Sequence, residues 1–130
     1  MRIFLVEDSP VLSAHLTELI HDVPGAKLVG QAADAPTAIA RIAELTPDVA
    51  ILDVSLKTGT GFDVLKALPA LASRPVAIMF TNYVSPPVRH FAAKNGADYF
   101  FDKARDIALL LDTLGALARD RFGLRSSPSM

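Results

Sequence analysis

An α/β doubly wound domain, a five-stranded parallel sheet with helices on both faces, is the fold class that the sequence predicts. Three observations predict it: short apolar runs recur at 3–6, 49–52 and 76–80, helical patterns fill the intervals, and the chain has 130 residues. Apolar runs this short, closed by polar or turn residues, read as buried strands. Strands alternating with helices imply parallel pairing through right-handed crossovers. The length is that of one domain.

The first strand is Ile3-Phe4-Leu5-Val6. After it, Leu12, Leu16, Leu19, Ile20 and Val23 return to one helix face at a spacing of three or four, and Pro10 suits the first helical position. Lys27 to Ala32, interrupted by Gly30 and Gln31, reads as a second strand at a sheet edge. Ala35, Ala38, Ile39, Ile42 and Leu45 form the next helix, with Asp34 as N-cap, Pro36 just inside and Pro47 as the stop. Val49 to Leu52 is the third strand, followed by a helix over roughly Phe62 to Leu68. Val76 to Phe80 is the fourth. The helix after it is expected only beyond Ser85-Pro86-Pro87 and ends at Asn95-Gly96. Ala97 to Phe101 is the fifth strand. The last helix, about Arg105 to Arg121, carries Ile107, Leu110, Leu111, Leu114 and Leu117 on one side and further apolar surface at Leu109 and Ala116. That excess predicts an interface, a phosphorylation-linked homodimer. The domain is expected over 1–122, with 123–130 as a short tail.

Composition narrows the function. Hydrophobic residues make up 51%, enough for a packed core, and the net charge of -1 provides no positive field for a phosphate backbone, so no direct nucleic-acid partner is expected. The chain has no Cys, which removes disulfides, thiolate metal sites and Cys nucleophiles and fits the reducing cytoplasm. No run approaches the ~18 apolar residues of a membrane span. A soluble cytoplasmic protein is expected.

In doubly wound sheets ligands bind beyond the carboxyl ends of the strands. Glu7-Asp8 follows the first strand, Asp53 the third, Thr81 the fourth, and Lys103 comes after Asp102 at the end of the fifth. Three carboxylates gathered there repel unless a cation sits among them, and a hard divalent ion with oxygen ligands, Mg²⁺ with Mn²⁺ as substitute, suits them. A carboxylate can then act as nucleophile toward a phosphoryl group, with a Lys ammonium and a hydroxyl neutralising its oxygens. Each residue alone has an ordinary reading: Glu7-Asp8 as a helix entrance with Asp8 or Ser9 as cap, Asp53 in a loop, Thr81 in a strand, Lys103 in solvent. Their shared edge is what argues for chemistry.

Taken together, Glu7-Asp8, Asp53, Thr81 and Lys103 resemble the receiver domain of bacterial response regulators, over nearly the whole chain. The resemblance implies the flavodoxin-like strand order 2-1-3-4-5. It implies Asp53 as phosphoacceptor, Glu7 and Asp8 as Mg²⁺-binding acids and Ser55 as donor of a backbone carbonyl to the metal. Lys103 is implied as the lysine on the phosphoryl group, Thr81 as the hydroxyl that moves onto it, and Phe100 as the switch aromatic. Phosphoryl groups would come from a sensor histidine kinase or a histidine phosphotransfer protein. The output would be a protein contact on the surface of the fourth helix, fifth strand and fifth helix. The chain would be a signalling domain, not an enzyme acting on a separate substrate, and either a stand-alone receiver or one whose sequence stops at a domain boundary.

Two departures from the family stand out. Ala104 follows Lys103 where a cis-proline is common, and a cis bond before another residue costs ~3 kcal/mol. The loop Val54-Ser55-Leu56-Lys57-Thr58-Gly59-Thr60-Gly61 lacks the usual Met-Pro. Ser55 and Tyr83 stand where the family modulates phosphoryl lifetime, and neither offers an amide or a carboxylate to orient water, so a long-lived phosphoryl state is expected. His15, His21 and His90 lack metal-ligand spacing and read as surface or half-buried residues. A nucleotide or flavin binder would need a phosphate cradle where Glu7-Asp8 stands, and an aspartyl phosphatase a second acid where Ser55 stands. The serious alternative is a phosphorylation-independent protein-interaction module on the same fold.

Overall fold

In the computed structural model, which describes residues 1–123, five strands form one parallel sheet in the order β2-β1-β3-β4-β5. The elements run β1 (Arg2–Val6), α1 (Pro10–His21), β2 (Lys27–Ala32), α2 (Ala35–Leu45), β3 (Val49–Leu52), α3 (Gly61–Ala67), β4 (Val76–Thr81), α4 (Pro86–Lys94), β5 (Tyr99–Asp102) and α5 (Ile107–Leu117). A 3₁₀ turn (Leu68–Ala70) extends α3, and a π turn (Ala118–Gly123) extends α5 through the first residue of the expected tail. Residues 124–130 of that tail lie outside the described residues.

The period-two alternation of the strands builds a core on each face. Phe4, Val6, Ala50, Leu52, Ala77 and Met79 point to the side covered by α2, α3 and α4. Ile3, Leu5, Val49, Ile51, Val76, Ile78 and Phe80 point to the side covered by α1 and α5. β5 divides likewise, with Phe100 packed on the first core and Phe101 on the second. Gly30 interrupts β2 for a steric reason: a Cβ there would stand 2.9 Å from the Phe4 ring.

Helix starts follow the caps. Ser9 accepts from the Leu12 N–H at 3.2 Å, Asp34 from Thr37 at 2.8 Å, and Thr60 and Asp63 form a reciprocal capping box. Two expectations need correction. Pro86 and Pro87 lie inside the first turn of α4, because the first positions of a helix need no intrahelical N–H donor. β5 begins two residues later than expected: Ala97 N–H closes onto the Ala92 carbonyl, which keeps it in the turn out of α4, and Asp98 N–H reaches the Ala77 carbonyl of β4 just before the strand proper. Arg105 likewise lies in a turn before α5.

Candidate functional site

Pairing carries on past the strand ends. Glu7 N–H donates to the Ala32 carbonyl (3.0 Å), Asp53 to Val6 (3.1 Å) and Lys103 to Thr81 (3.0 Å), so neighbouring strands fix the backbone of each site residue. Side chains held this way need no loop ordering to reach working geometry. Glu7, Asp53 and Thr81 are the buried polar residues of the described chain, and all three sit at this edge. Ser9, not Asp8, caps α1, which leaves both acids of the pair available.

Lys103 joins the acids. Its Nζ donates to Asp53 Oδ2 at 2.6 Å and lies 2.7 Å from Glu7 Oε1. The second Glu7 oxygen accepts from the Ser9 N–H at 3.1 Å. Burial pushes the Glu7 carboxyl above its usual range, more than the hydrogen bonds from Lys103 and Ser9 pull it down. Burial also opposes the Lys103 charge, but the hydrogen bonds to Asp53 and Glu7 together outweigh it and raise its pKa. Lys103 therefore remains an ammonium.

Asp53 Oδ1 is buried and has no hydrogen-bond partner. An acceptor left so costs about 1–3 kcal/mol. Glu7, Asp8 and Asp53 each offer a carboxylate oxygen, all within 4.8 Å of one another. Three clustered carboxylates, one of them with an unpartnered oxygen, fit a divalent cation of the Mg²⁺ type. Ser55 is exposed and pairs as an isolated antiparallel bridge with Thr60, which folds the loop after Asp53 back on itself.

Thr81 is fully buried, and its Oγ1 accepts from the Tyr83 N–H at 3.2 Å, so the hydroxyl is engaged with the β4–α4 loop. Tyr83 is exposed. Phe100 is half-buried in β5, and the Arg89 guanidinium sits 4.7 Å from its ring centroid. The three histidines are exposed, as expected.

Sequence reasoning missed four contributors. Gly61 opens α3 where any Cβ would overlap the Asp53 carbonyl oxygen, and its N–H donates to Val54 at 2.9 Å. The signal was present in Gly59-Thr60-Gly61, which reads equally as an ordinary loop. Asp102 and Asp106 shape the Lys103-Ala104 turn: Asp102 Oδ1 accepts from Ala104 N–H (2.8 Å) and Asp106 Oδ2 from Asp102 N–H (2.9 Å). All peptide bonds among the described residues are trans, so the expected cost of a cis bond before Ala104 does not arise. Arg89, an exposed helix cation, carries no sequence signal.

The family model for the response regulator receiver domain matches residues 3–115. The DNA-binding transcriptional activator DevR/DosR of Mycobacterium tuberculosis is 31% identical over 103 residues, 79% of this chain and 48% of that protein. A protein-glutamate methylesterase/protein-glutamine glutaminase of Rhizobium etli is 34% identical over 80 residues, 62% of this chain and 23% of that protein. The chain thus spans less than half the length of these curated relatives. The response regulator domain of Thermotoga maritima CheB superposes with a TM-score of 0.81 at 25% identity, covering 98% of both chains. The Mn(2+)-bound form of Rcp1, at 18% identity and a TM-score of 0.74 over 98% of both chains, shares the fold. No helix among the described residues is long and apolar enough to cross a membrane. The acids, the lysine and the threonine stand at the ends of strands that this family match spans from β1 to β5, and the chain belongs to the response regulator receiver domains.

Proposed function

We propose that this receiver domain, over residues 1–122, accepts a phosphoryl group on Asp53 and signals by a protein contact through α4, β5 and α5. The observation that carries the reading is the state of Asp53: a buried carboxylate with one oxygen held by Lys103 and the other without a partner, beside two further acids. A carboxylate so placed is a nucleophile with one cation, Lys103, already in contact. An Asp53 oxygen forms the new bond to phosphorus as the P–N bond of a phosphohistidine, or the P–O bond of acetyl phosphate, breaks. The bonding pair leaves with the imidazole, which takes up a proton, or with acetate. Glu7, Asp8, Asp53 and the Ser55 carbonyl would hold Mg²⁺, or Mn²⁺ in its place, which when bound neutralises charge on the phosphoryl oxygens. Lys103, then sharing the acids with the metal, turns its ammonium to the phosphoryl group. Thr81 exchanges the Tyr83 N–H for a phosphoryl oxygen, and Phe100 moves inward behind it.

The donor in the cell would be a sensor histidine kinase or a histidine phosphotransfer protein, and the Cys-free composition suits a cytoplasmic setting. Apolar surface on α5 supports a homodimer in the phosphorylated state.

Intact-mass spectrometry after incubation with acetyl phosphate and Mg²⁺ tests the reading. One phosphoryl adduct is expected on the wild type, dependent on Mg²⁺ and absent from Asp53→Asn. Following the adduct after donor removal tests phosphoryl lifetime: slow loss is expected from the wild type, and faster loss once Ser55→Asn and Tyr83→Glu supply the groups that orient water. No adduct under conditions that label another receiver would leave a phosphorylation-independent interaction module.

A further inference from the structure

Arg89 makes two contacts that converge on the switch. Its guanidinium lies over the Phe100 ring, 4.7 Å from the centroid, and its Nε–H donates to the Val84 carbonyl at 2.9 Å. Val84 belongs to the short loop between β4 and α4, the same loop whose Tyr83 N–H engages the Thr81 hydroxyl at 3.2 Å. One exposed side chain thus ties the ring on β5 to the loop that holds Thr81. Phe100 has no phenolic hydroxyl, so the face of its ring is the handle available to a polar partner. A planar guanidinium can cover that face while donating along its edge, which a lysine ammonium on a single stem cannot reproduce.

α4 gives the clasp leverage. Ala92 is its one buried residue, so the helix is held largely by side chains at its margins. On the far margin Phe91 meets the Phe62 ring edge-on at 4.8 Å between centroids, under the Lys66 ammonium. On the near margin stands Arg89.

We infer that Arg89 is a positioning residue for the phosphorylation of Asp53: a clasp that holds Phe100 and the 82–85 loop in the resting arrangement and must open for Thr81 to reach the phosphoryl group. The inference rests on the reading of Asp53 as phosphoacceptor. If the resting state includes the clasp and the phosphorylated state does not, linkage requires that removing the clasp favours phosphorylation.

The test pairs a spectroscopic readout with a rate. In ¹⁵N-arginine-labelled protein, ring current from Phe100 should displace the Arg89 Nε–H resonance, and Phe100→Leu should abolish the displacement. Acetyl phosphate with Mg²⁺ should move the resonance to the undisplaced position in the wild type but leave it in Asp53→Asn. Arg89→Gln, at a solvent-exposed site, should take up label about threefold faster at sub-saturating acetyl phosphate, and Arg89→Lys should fall between. A wild type that labels while its Arg89 resonance stays displaced, or an Arg89→Gln variant that labels at the wild-type rate or slower, overturns the clasp and leaves the phosphoacceptor reading standing. A wild type that takes no label overturns that reading and the coupling with it.

Discussion

At Asp53 the two carboxylate oxygens meet different surroundings, one on the Lys103 ammonium and one on nothing. Lys103 is shared with Glu7, so a single cation bridges two buried acids. Removing one partner of such a group leaves charge buried without compensation, which is the costly way to break it. Lys103→Met is therefore expected to lose about 3 kcal/mol of stability in urea unfolding at neutral pH. The double variant Glu7→Gln/Lys103→Met should recover part of the loss, because one of the stranded carboxylates is gone. A single variant within about 0.5 kcal/mol of the wild type would mean that the cluster behaves like a surface pair and that water screens it.

Among the elements, α2 offers the cleanest measurement. Asp34 accepts from the Thr37 N–H at 2.8 Å, and that bond, aided by the Thr37 side chain and the nearby Lys57 charge, holds its carboxyl below the ordinary value of 3.8. The folded pKa is depressed, so the unfolded chain binds the proton more readily and the cap contributes above pH 3.8 and is lost as pH falls through the lower folded value. The stability gap between wild type and Asp34→Ala should hold steady from about pH 7 to pH 5 and narrow below the ordinary carboxyl range. A gap unchanged down to about pH 2 would show that the carboxylate charge is irrelevant to the cap. This helix was legible in the sequence because cap, proline and stop all lie within its own residues. So were β1, β3 and β4, whose unbroken apolar runs have no other use, and the acids, threonine and lysine that follow the strands. What could not be read depends on residues distant in sequence. Lys103 chooses Glu7 and Asp53 across the sheet, Arg89 meets Phe100 between elements, and Gly61 is required by a carbonyl eight positions earlier. The start of β5 was misplaced for a similar reason: Ala97 is apolar enough for a strand, but its N–H is claimed by α4.

Across the whole molecule, the order β2-β1-β3-β4-β5 leaves β5 at an open edge, beside α5. Edge strands are sites for further association unless they are short or covered, and β5 has only four residues. The side chains around it supply what the short edge lacks. Leu109 is 54% exposed and Tyr99 37%, with the Tyr99 ring stacked on Phe101 at 6.1 Å. These apolar groups lie on the α5 side of β5, and Phe100 with its Arg89 cover lies on the other side of the same short strand, so the inward movement of Phe100 proposed for the phosphorylated state would reshape the edge that joins the two. Two copies meeting there about a twofold axis would present the same patch to each other, which makes contact self-complementary and closed. A resting face of this kind predicts a monomer, and phosphorylation that reshapes it predicts a dimer. Sedimentation velocity with and without acetyl phosphate and Mg²⁺ should show the doubled mass only with both present, and not in Asp53→Asn. Leu109→Glu should keep the phosphoryl adduct yet remain monomeric, because a carboxylate buried at a symmetric interface faces its own copy. A labelled wild type that sediments as a monomer would assign the exposed α5 surface to a different protein partner and leave the chemistry at Asp53 untouched.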